Sequence, residues 1–346
     1  MKILRKQFIT AIKTIKAALG KGEDYYVKDG YIIARNSESI AMSKLEGADE
    51  TFRLPSKAIP LLSAMGDTIE VKLGENEVNF KSGKSRAKYK ITDVPNNLLS
   101  EDNFKSDYEL EVSAVIINNA VQKLECMVSD NNARPVLTGM YIKAEKGTLT
   151  FIASDGYRVA KYIEEVEDTD TEFECIVPKG TLKIIRAMGF EDTVNLSLNK
   201  NWITLSDDNK IIHSRLVSGQ YLTFDGIFNR MYDLEYKIDK AKFIDMLNKA
   251  KLVAKSEEKV SKISLKITAE NELAIEYNET ETYAEVIPLI DSCGEEVTKT
   301  LNLDYLRDAL LVLFGEEVIM YTTNEVITPL VFKEDKVISL LLPIKL

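Results

Sequence analysis

Residues 154–159, Ser-Asp-Gly-Tyr-Arg-Val, follow a strand-like run at 149–153 and carry the side chains best suited to chemistry. An Asp-Gly pair after a strand predicts a tight turn, because glycine tolerates positive φ and aspartate can bond to the backbone that follows it. A plain hairpin would account for this segment. Tyr157 and Arg158, however, follow the Asp-Gly pair and carry a flat ring and a planar cation. Both residue types are enriched where proteins bind one another. The segment therefore also indicates recognition of a partner.

Composition limits the possible classes of protein. The chain has 346 residues, 45% of them hydrophobic and 29% charged, which predicts a soluble protein of two or three domains. No apolar run approaches the ~18 residues of a membrane span, and Lys13 and Lys16 interrupt the apolar stretch that a secretion signal needs. We therefore expect a cytoplasmic protein.

Metal and cofactor sites are not indicated. Cys126, Cys175 and Cys293 are far apart, and we interpret them as thiols in a reducing compartment. His213 is the only histidine, which excludes multi-histidine metal sites, and its apolar neighbours predict a strand residue. No carboxylates form a recognisable metal or nucleotide motif, so we expect no cofactor and no catalytic residue.

A segment of thirteen residues occurs three times. Residues 54–66, 177–189 and 303–315 each predict a helix that ends at glycine and is followed by an alternating strand. The three glycines, Gly66, Gly189 and Gly315, are 123 and 126 positions apart. The spacing is that of a repeated domain, and we expect each glycine to adopt the left-handed cap conformation.

Each repeat also opens with an amphipathic helix, whose apolar positions include Phe8 and Ile12, then Ile117 and Val121, then Phe243. Helices combined with short alternating strands predict an α+β fold. Polar stretches before the second and third opening helices place the domains at 1–107, 108–233 and 234–346, each with two helices packed on antiparallel sheets.

Basic residues form stripes on several of these helices, although the net charge is −10. The stripes comprise Lys6, Lys13 and Lys16, then Lys179, Lys183 and Arg186, then Lys242 and Lys249. A solvated charged face explains most such stripes. Their recurrence at equivalent places in an acidic chain also fits contact with nucleic acid, because the net charge does not show where the positive charges lie.

Three stretches resemble one protein family. Residues 132–140 (Asn-Ala-Arg-Pro-Val-Leu-Thr-Gly-Met), 153–160 and the chain end at 340–346 resemble the bacterial DNA polymerase III beta subunit, the replication sliding clamp. The resemblance implies the DNA clamp fold, in which two chains join head to tail as a ring of six similar domains. It also implies a non-catalytic processivity factor that binds duplex DNA without reading sequence.

The family resemblance further implies a pocket for short peptides of the replicative polymerase, the ATP-dependent clamp loader and other proteins that carry a clamp-binding motif. Its predicted residues are Leu137, Ser154, Gly156, Tyr157, Arg158, Val159, Leu222, Ile227, Leu340, Leu342, Pro343, Ile344, Lys345 and Leu346. In the family the basic helices face DNA, as do loop positions that match Lys21 and Arg134. The homodimer would join edge strands at 84–90 and 261–266.

Two alternatives from other classes stay open. One is a hydrolase on repeated α+β domains that uses a metal bound by Asp and Glu. The other is a scaffold that binds peptides at Tyr157 and Arg158 but does not bind DNA.

Overall fold

Apolar residues recur at helical spacing in some segments and at every second position in others, and these segments form the helices and strands. The computed structural model describes residues 1–95, 98–99, 105–167, 170–254, 260–279 and 281–345. Within these ranges the α-helices are α1 (Arg5–Ile15), α2 (Ile59–Ala64), α3 (Ala114–Leu124), α4 (Lys179–Met188), α5 (Asp225–Phe228), α6 (Lys240–Val253) and α7 (Leu303–Leu311). Short 3-10 turns lie at Lys16–Ala18, Ser56–Ala58, Glu125–Met127 and Pro135–Thr138.

Strands make up most of the remaining regular structure. The first repeat contains β1 (Lys2–Leu4), β2 (Tyr25–Lys28), β3 (Tyr31–Arg35), β4 (Ser39–Lys44), β5 (Phe52–Leu54), β6 (Thr68–Leu73), β7 (Glu77–Ser82) and β8 (Ser85–Lys90). The second contains β9 (Tyr108–Ser113), β10 (Gly139–Glu145), β11 (Thr148–Ser154), β12 (Arg158–Glu165), β13 (Phe173–Pro178), β14 (Thr193–Leu198), β15 (Trp202–Ser206) and β16 (Lys210–Arg215). The third contains β17 (Leu234–Asp239), β18 (Lys262–Ile267), β19 (Glu272–Asn278), β20 (Thr282–Pro288), β21 (Asp291–Ser292), β22 (Val297–Asn302), β23 (Glu317–Thr322), β24 (Leu330–Lys333) and β25 (Val337–Leu341).

The chain divides into two compact units. Unit 1 comprises Met1–Gln122, Ala144–Gly147 and Val166–Ser218. It contains one sheet with the strand order β5-β2-β3-β4-β16-β15-β14-β9 and another with the order β1-β6-β7-β8. Helix α1 packs on β3 and β4 and lies beside α4. Because β4 pairs with β16, one hydrogen-bonded ladder joins strands of the first and second repeats.

Unit 2 comprises Lys123–Lys143, Thr148–Glu165 and Gly219–Leu346. Its larger sheet runs in the order β10-β11-β12-β25-β24-β23-β17-β21, and a smaller one runs β20-β19-β18-β22. Helix α6 packs on β17, β19 and β20, and α7 lies beside α6. The β12–β25 pair aligns Val159 with Leu340, so strands of the second and third repeats again share a ladder.

These elements confirm the α+β prediction and the buried faces of the opening helices. Phe8 and Ile12 are buried under α1, and Phe243 is buried under α6. His213 is a buried residue of β16, as its apolar neighbours predicted.

The expectation of three left-handed glycine caps is correct only for Gly189. That glycine has φ +55° and donates its N–H to the carbonyl of Ile185 at 3.0 Å, which closes α4. Gly66 and Gly315 lie outside the left-handed region, and neither follows its helix directly, because α2 ends at Ala64 and α7 at Leu311. At Gly66 space is the constraint, because an added Cβ would lie 2.7 Å from the Ser82 hydroxyl.

The expected dimer strand at 261–266 is also corrected. It forms β18, which pairs with β19 on one side and β22 on the other, so it has no free edge. Among the described strands, the outer strand on the β19 side of that sheet is β20. The alternating pattern identified a strand here, but its position in the sheet depends on partners that are distant in sequence.

Candidate functional site

The predicted turn at 154–159 is a hairpin between β11 and β12. Asp155 Oδ1 accepts hydrogen bonds from the backbone N–H groups of Tyr157 (2.9 Å) and Arg158 (3.1 Å). Gly156 has φ +91°, a conformation that other residues rarely adopt. The turn is therefore fixed by its own side chains, as the sequence predicted, and it leaves Tyr157 64% exposed to solvent.

Arg158 lies beneath this turn rather than on its surface, with 8% of the residue exposed. Its Nε donates to Asp155 Oδ2 (2.9 Å), its Nη1 to Asp308 Oδ2 (2.6 Å) and its Nη2 to the carbonyl of Cys126 (2.7 Å). Its guanidinium carbon also lies 4.1 Å from the centre of the Tyr305 ring. Burial by itself would lower the pKa of Arg158, but the hydrogen bonds and charges of Asp308 and Asp155 outweigh it and raise that pKa. Each nitrogen of the guanidinium thus has a partner within the chain.

Several other predicted pocket residues belong to the core. Leu137, Ser154, Val159 and Leu340 are each no more than 2% exposed. Val159 and Leu340 pack with Phe228 in one apolar cluster. These residues lie beneath the surface and support it from below.

Four large apolar residues of the predicted pocket are exposed. We call them the Tyr157 surface: they are Tyr157, Leu222 (42% exposed), Ile227 (39%) and Leu342 (40%). The segment that carries Leu222 and Ile227 is held at both ends. Tyr221 stacks on Tyr141 with ring centres 5.1 Å apart, and Phe228 packs in the cluster with Val159. This anchoring places the segment beside the β11–β12 hairpin.

The chain end approaches the same hairpin. Leu341 is paired with Arg158 in the β12–β25 ladder, and the Leu342 N–H donates to the carbonyl of Tyr157 at 2.8 Å. Strand β25 ends at Leu341, before Pro343, as predicted from the missing proline donor. The Ile344 N–H donates to the carbonyl of Thr300 at 2.8 Å, Lys345 is exposed, and Leu346 lies outside the described residues.

Two residues beside this surface were not assigned to it from the sequence. Arg134, expected to face DNA, has its Nη1 3.8 Å from the position that a Cβ on Gly156 would occupy. Tyr305 lies with its ring centre 6.4 Å from that of Tyr157. The residue type of Arg134, an exposed cation before a proline, could have suggested its place here. Tyr305 is nearly 150 positions from Tyr157 in the chain, and no nearby sequence pattern indicates that the two lie close together.

The basic stripes of α1 and α4 lie on adjacent helices of unit 1. Lys6, Lys13, Lys16 and Lys183 are exposed, and none forms an ion pair with a residue that the structure describes. Neither helix contains an acidic residue. Lys21 is likewise exposed, in the loop after the 3-10 turn that follows α1.

The lysines of α6 in unit 2 differ, because acidic groups surround them. Lys249 Nζ lies 2.8 Å from Asp245 and 2.9 Å from Glu285, and these contacts raise its pKa. Lys242 lies 3.7 Å from Asp239, and Lys251 is paired with Asp304 of α7.

No group of three or more metal-binding side chains occurs among the described residues. Over the same residues, no helix combines the length and the apolar character that crossing a membrane requires.

Comparisons with known proteins agree with this geometry. Residues 111–222 match the family model of the DNA polymerase III beta subunit, central domain. A beta sliding clamp of Staphylococcus aureus is 26% identical over 247 residues, which cover 69% of this chain and 64% of the relative. The alignment thus spans slightly less than two thirds of that relative.

The likeness in structure extends over the entire chain. The beta subunit from the DNA polymerase of Streptococcus pyogenes has a TM-score of 0.89 at 20% identity, covering 100% of this chain and 99% of that one. A sliding clamp from Pseudomonas aeruginosa bound to griselimycin has a TM-score of 0.89 at 18% identity, with the same coverage. At such identities the likeness establishes the fold.

The resemblance inferred from the sequence is therefore confirmed. Residues 111–222 resemble the central domain of the DNA polymerase III beta subunit family, and the chain as a whole has the fold of the bacterial beta sliding clamps.

Proposed function

We propose that this chain is a DNA sliding clamp, a non-catalytic processivity factor that encircles duplex DNA and tethers the replicative polymerase. The observation that supports the proposal best is the likeness to solved sliding clamps over the whole chain. A ring holds DNA by topology, so it needs neither base contacts nor tight local binding. Exposed lysines on helices in a chain of net charge −10 fit such non-specific contact with phosphates.

The Tyr157 surface is proposed to bind a short peptide from the polymerase, from an ATP-dependent clamp loader and from other proteins with a similar motif. Its exposed side chains are apolar, and they lie on a rigid hairpin, an anchored segment and the end of a strand. Such a surface accepts apolar or aromatic anchors, while nearby backbone groups orient the peptide.

Arg134 is a better candidate than Arg158 for orienting a polar peptide group. Arg134 is exposed beside Gly156, whereas the guanidinium of Arg158 is occupied by Asp155, Asp308 and a backbone carbonyl. We therefore assign Arg134 to the peptide site and give Arg158 the role of holding the hairpin in place.

A head-to-tail homodimer is proposed to form between β8 of one copy and β20 of another. Each is an outer strand of its four-stranded sheet among the described residues, and free strand edges invite pairing. Strand β8 carries Arg86, Lys88 and Lys90 and no acidic residue, whereas Glu285 is the one charged residue of β20 and Glu281 precedes it. The opposite charges favour a mixed pair over a pair of identical edges.

The three-domain division at 1–107, 108–233 and 234–346 follows the sequence repeat and is part of this proposal. We propose that the protein acts on the chromosome in the cytoplasm.

The test is retention of the protein on nicked circular DNA after loading with a competent clamp loader. In moderate salt the protein should stay on circles and be lost when a restriction enzyme linearises them, because only topological binding depends on closure. Retention that ignores linearisation, or that never occurs, would refute the ring. Peptide binding without retention would favour the scaffold, and metal-dependent hydrolysis lost on mutating specific carboxylates would favour the hydrolase.

A further inference from the structure

We infer that the buried Lys299 is a positioning residue for the proposed peptide site. It holds the loop between β23 and β24, residues 323–328, in one orientation beside the Tyr157 surface. We call this segment the Lys299 loop, and we call its exposed side chains Val326 and Ile327 the apolar rim. The inference rests on the proposed peptide binding.

Lys299 occupies a position that the strand pattern favours for an apolar residue. Val297, Lys299 and Leu301 alternate along β22 and are all buried, and Lys299 is only 1% exposed. Burial lowers the pKa of Lys299, because an ammonium group loses its hydration in the interior. A lysine here costs free energy unless its donors are satisfied, and an apolar side chain of similar length would avoid that cost.

The ammonium group of Lys299 is used to hold the loop. Its Nζ donates to the carbonyl of Thr323 at 3.0 Å and to the carbonyl of Glu325. The loop is also closed on itself, since the Thr328 N–H donates to the same Glu325 carbonyl at 3.1 Å and Thr323 Oγ1 donates to Thr328 Oγ1 at 2.8 Å. Lys299 therefore attaches a turn that is already formed to strand β22 at two points.

Two large apolar side chains of this loop are exposed to solvent. Val326 is 63% exposed and Ile327 is 66% exposed, whereas the adjacent Thr328 is buried. Because the loop is hydrogen-bonded to itself and to Lys299, the position of the apolar rim is set before a partner binds, which lowers the entropy cost of binding. The rim is therefore suited to contact the apolar anchors of a peptide.

The Lys299 loop is linked to the segment that carries Leu222 and Ile227. Glu325 Oε2 lies 4.0 Å from Arg230 Nη2. The backbone N–H of Arg230 in turn donates to the carbonyl of Ile227 at 3.4 Å. The loop thus lies next to one part of the Tyr157 surface.

The strand that holds the loop also holds the chain end. Thr300 follows Lys299 in β22, and its carbonyl accepts the N–H of Ile344 at 2.8 Å. Leu342, two residues before Ile344, belongs to the Tyr157 surface. Strand β22 therefore supports both the Lys299 loop and the chain end.

Peptide binding by three variants tests the inference. Lys299→Met keeps the length of the side chain but removes its donors and its charge. The rim variant, Val326→Ala with Ile327→Ala, removes the apolar rim, and a third variant combines all three changes. Lys266→Met, on the neighbouring strand β18, is the matched control, because the partner of Lys266 is Glu276 of β19 rather than the loop.

Affinity is measured by fluorescence anisotropy of a labelled peptide with one glutamine and apolar and aromatic anchors, and hydrogen exchange of residues 323–328 reports on the loop. Lys299→Met should speed this exchange and weaken peptide binding roughly 10-fold, the scale of one charge-assisted hydrogen bond. Its melting temperature should stay close to that of the wild type, because the freed carbonyls can turn to water and methionine tolerates the interior.

The rim variant should weaken peptide binding by a similar factor. The combined variant should bind no more weakly than the rim variant, because Lys299 acts through these two side chains. Lys266→Met should match the wild type in affinity, loop exchange and melting temperature.

Normal peptide binding by Lys299→Met despite faster loop exchange overturns the inference, as does a combined variant in which the two losses of affinity multiply. Both positions of the rim variant are exposed, so it decides the matter if Lys299→Met does not fold. Normal binding by the rim variant then overturns the inference, and weakened binding supports it.

Tyr157→Ala separates this inference from the function on which it rests. If Tyr157→Ala weakens binding while Lys299→Met and the rim variant bind normally, the proposed peptide site stands and the inference is lost. A wild-type protein that does not bind the peptide refutes both.

Discussion

Arg158 Nη1 donates to Asp308 Oδ2 at 2.6 Å, although the two residues are 150 positions apart in the chain. The pair ties the β11–β12 hairpin to helix α7 within unit 2. Because Arg158 is buried, loss of its partner would leave a poorly compensated charge in the interior.

We expect Asp308→Asn to lower the free energy of unfolding by about 2 kcal/mol or more, since Asp155 would then be the remaining carboxylate on the guanidinium. Urea unfolding measures the change. Asp304→Asn, on the same helix, is the matched control, because it removes an exposed ion pair with Lys251 that should contribute less than about 1 kcal/mol. Equal effects of the two variants would contradict the anchoring role of Arg158.

Tyr157→Ala and Leu342→Ala should each weaken binding of a labelled clamp-motif peptide by roughly 10- to 100-fold while leaving the melting temperature nearly unchanged. Both side chains are exposed, so their loss removes a binding contact and little core packing. Val115→Ala, an exposed apolar residue of α3, is the control and should bind normally. Normal binding by both site variants would place the peptide elsewhere.

Gly219→Ala should destabilise the segment that carries Leu222. At Gly219 the backbone has φ +130°, and an added Cβ would lie 2.7 Å from Cγ1 of Val136, so we expect a loss of roughly 1–3 kcal/mol. Gly226→Ala is the matched control, because its Cβ would meet nothing within 4 Å. The melting temperature and the peptide affinity should both fall for Gly219→Ala but not for Gly226→Ala. A melting temperature equal to that of the wild type would argue against this close contact.

Stability should depend on pH through His213. Burial lowers its pKa to about 4, against 6.5 for an unperturbed histidine. Between these values the unfolded chain binds a proton that the folded chain does not, so the free energy of unfolding should fall as the pH drops from 6.5 to 4. Over this pH range the free energy of unfolding should fall by about 3 kcal/mol. Urea unfolding at several pH values should show that His213→Gln lacks this fall in the free energy of unfolding. If the variant has the same pH dependence as the wild type, other groups account for the acid sensitivity.

Charge reversal should break the proposed homodimer. We expect Arg86→Glu to convert dimers to monomers in analytical ultracentrifugation, since it opposes the acidic residues at β20. Glu281→Lys in a second chain, mixed with the first, should restore a heterodimer. Dimers that persist in Arg86→Glu would rule out this pair of edges.

The features that depend on residues close together in sequence were predicted correctly. The Asp-Gly pair identified the hairpin, because the hydrogen bonds of Asp155 span only two and three residues. The apolar period identified the buried faces of the helices, since Phe8 and Phe243 occur at helical spacing. The resemblance to sliding clamps added residues that no local pattern connects, such as Leu222 and Leu342.

Contacts between residues that are distant in sequence could not be predicted, for a physical reason. The spacing of Asp245 and Lys249 on one helix could have indicated their ion pair, but only the fold shows that Glu285 also contacts Lys249. In the same way, nothing near Arg158 indicated Asp308 or Tyr305, and so its burial could not be foreseen. Pairings of this kind depend on tertiary contacts and leave no spacing signal.

The β4–β16 and β12–β25 ladders cross the borders of the sequence repeat. A fragment cut at residue 107 would strip β4 of its neighbour and expose a row of backbone donors and acceptors, beside buried residues such as Ala41 and Met42, to other chains. Limited proteolysis or gene truncation at the repeat borders should therefore yield aggregates rather than soluble fragments. The smallest fragment worth expressing is one that keeps both strands of each shared ladder.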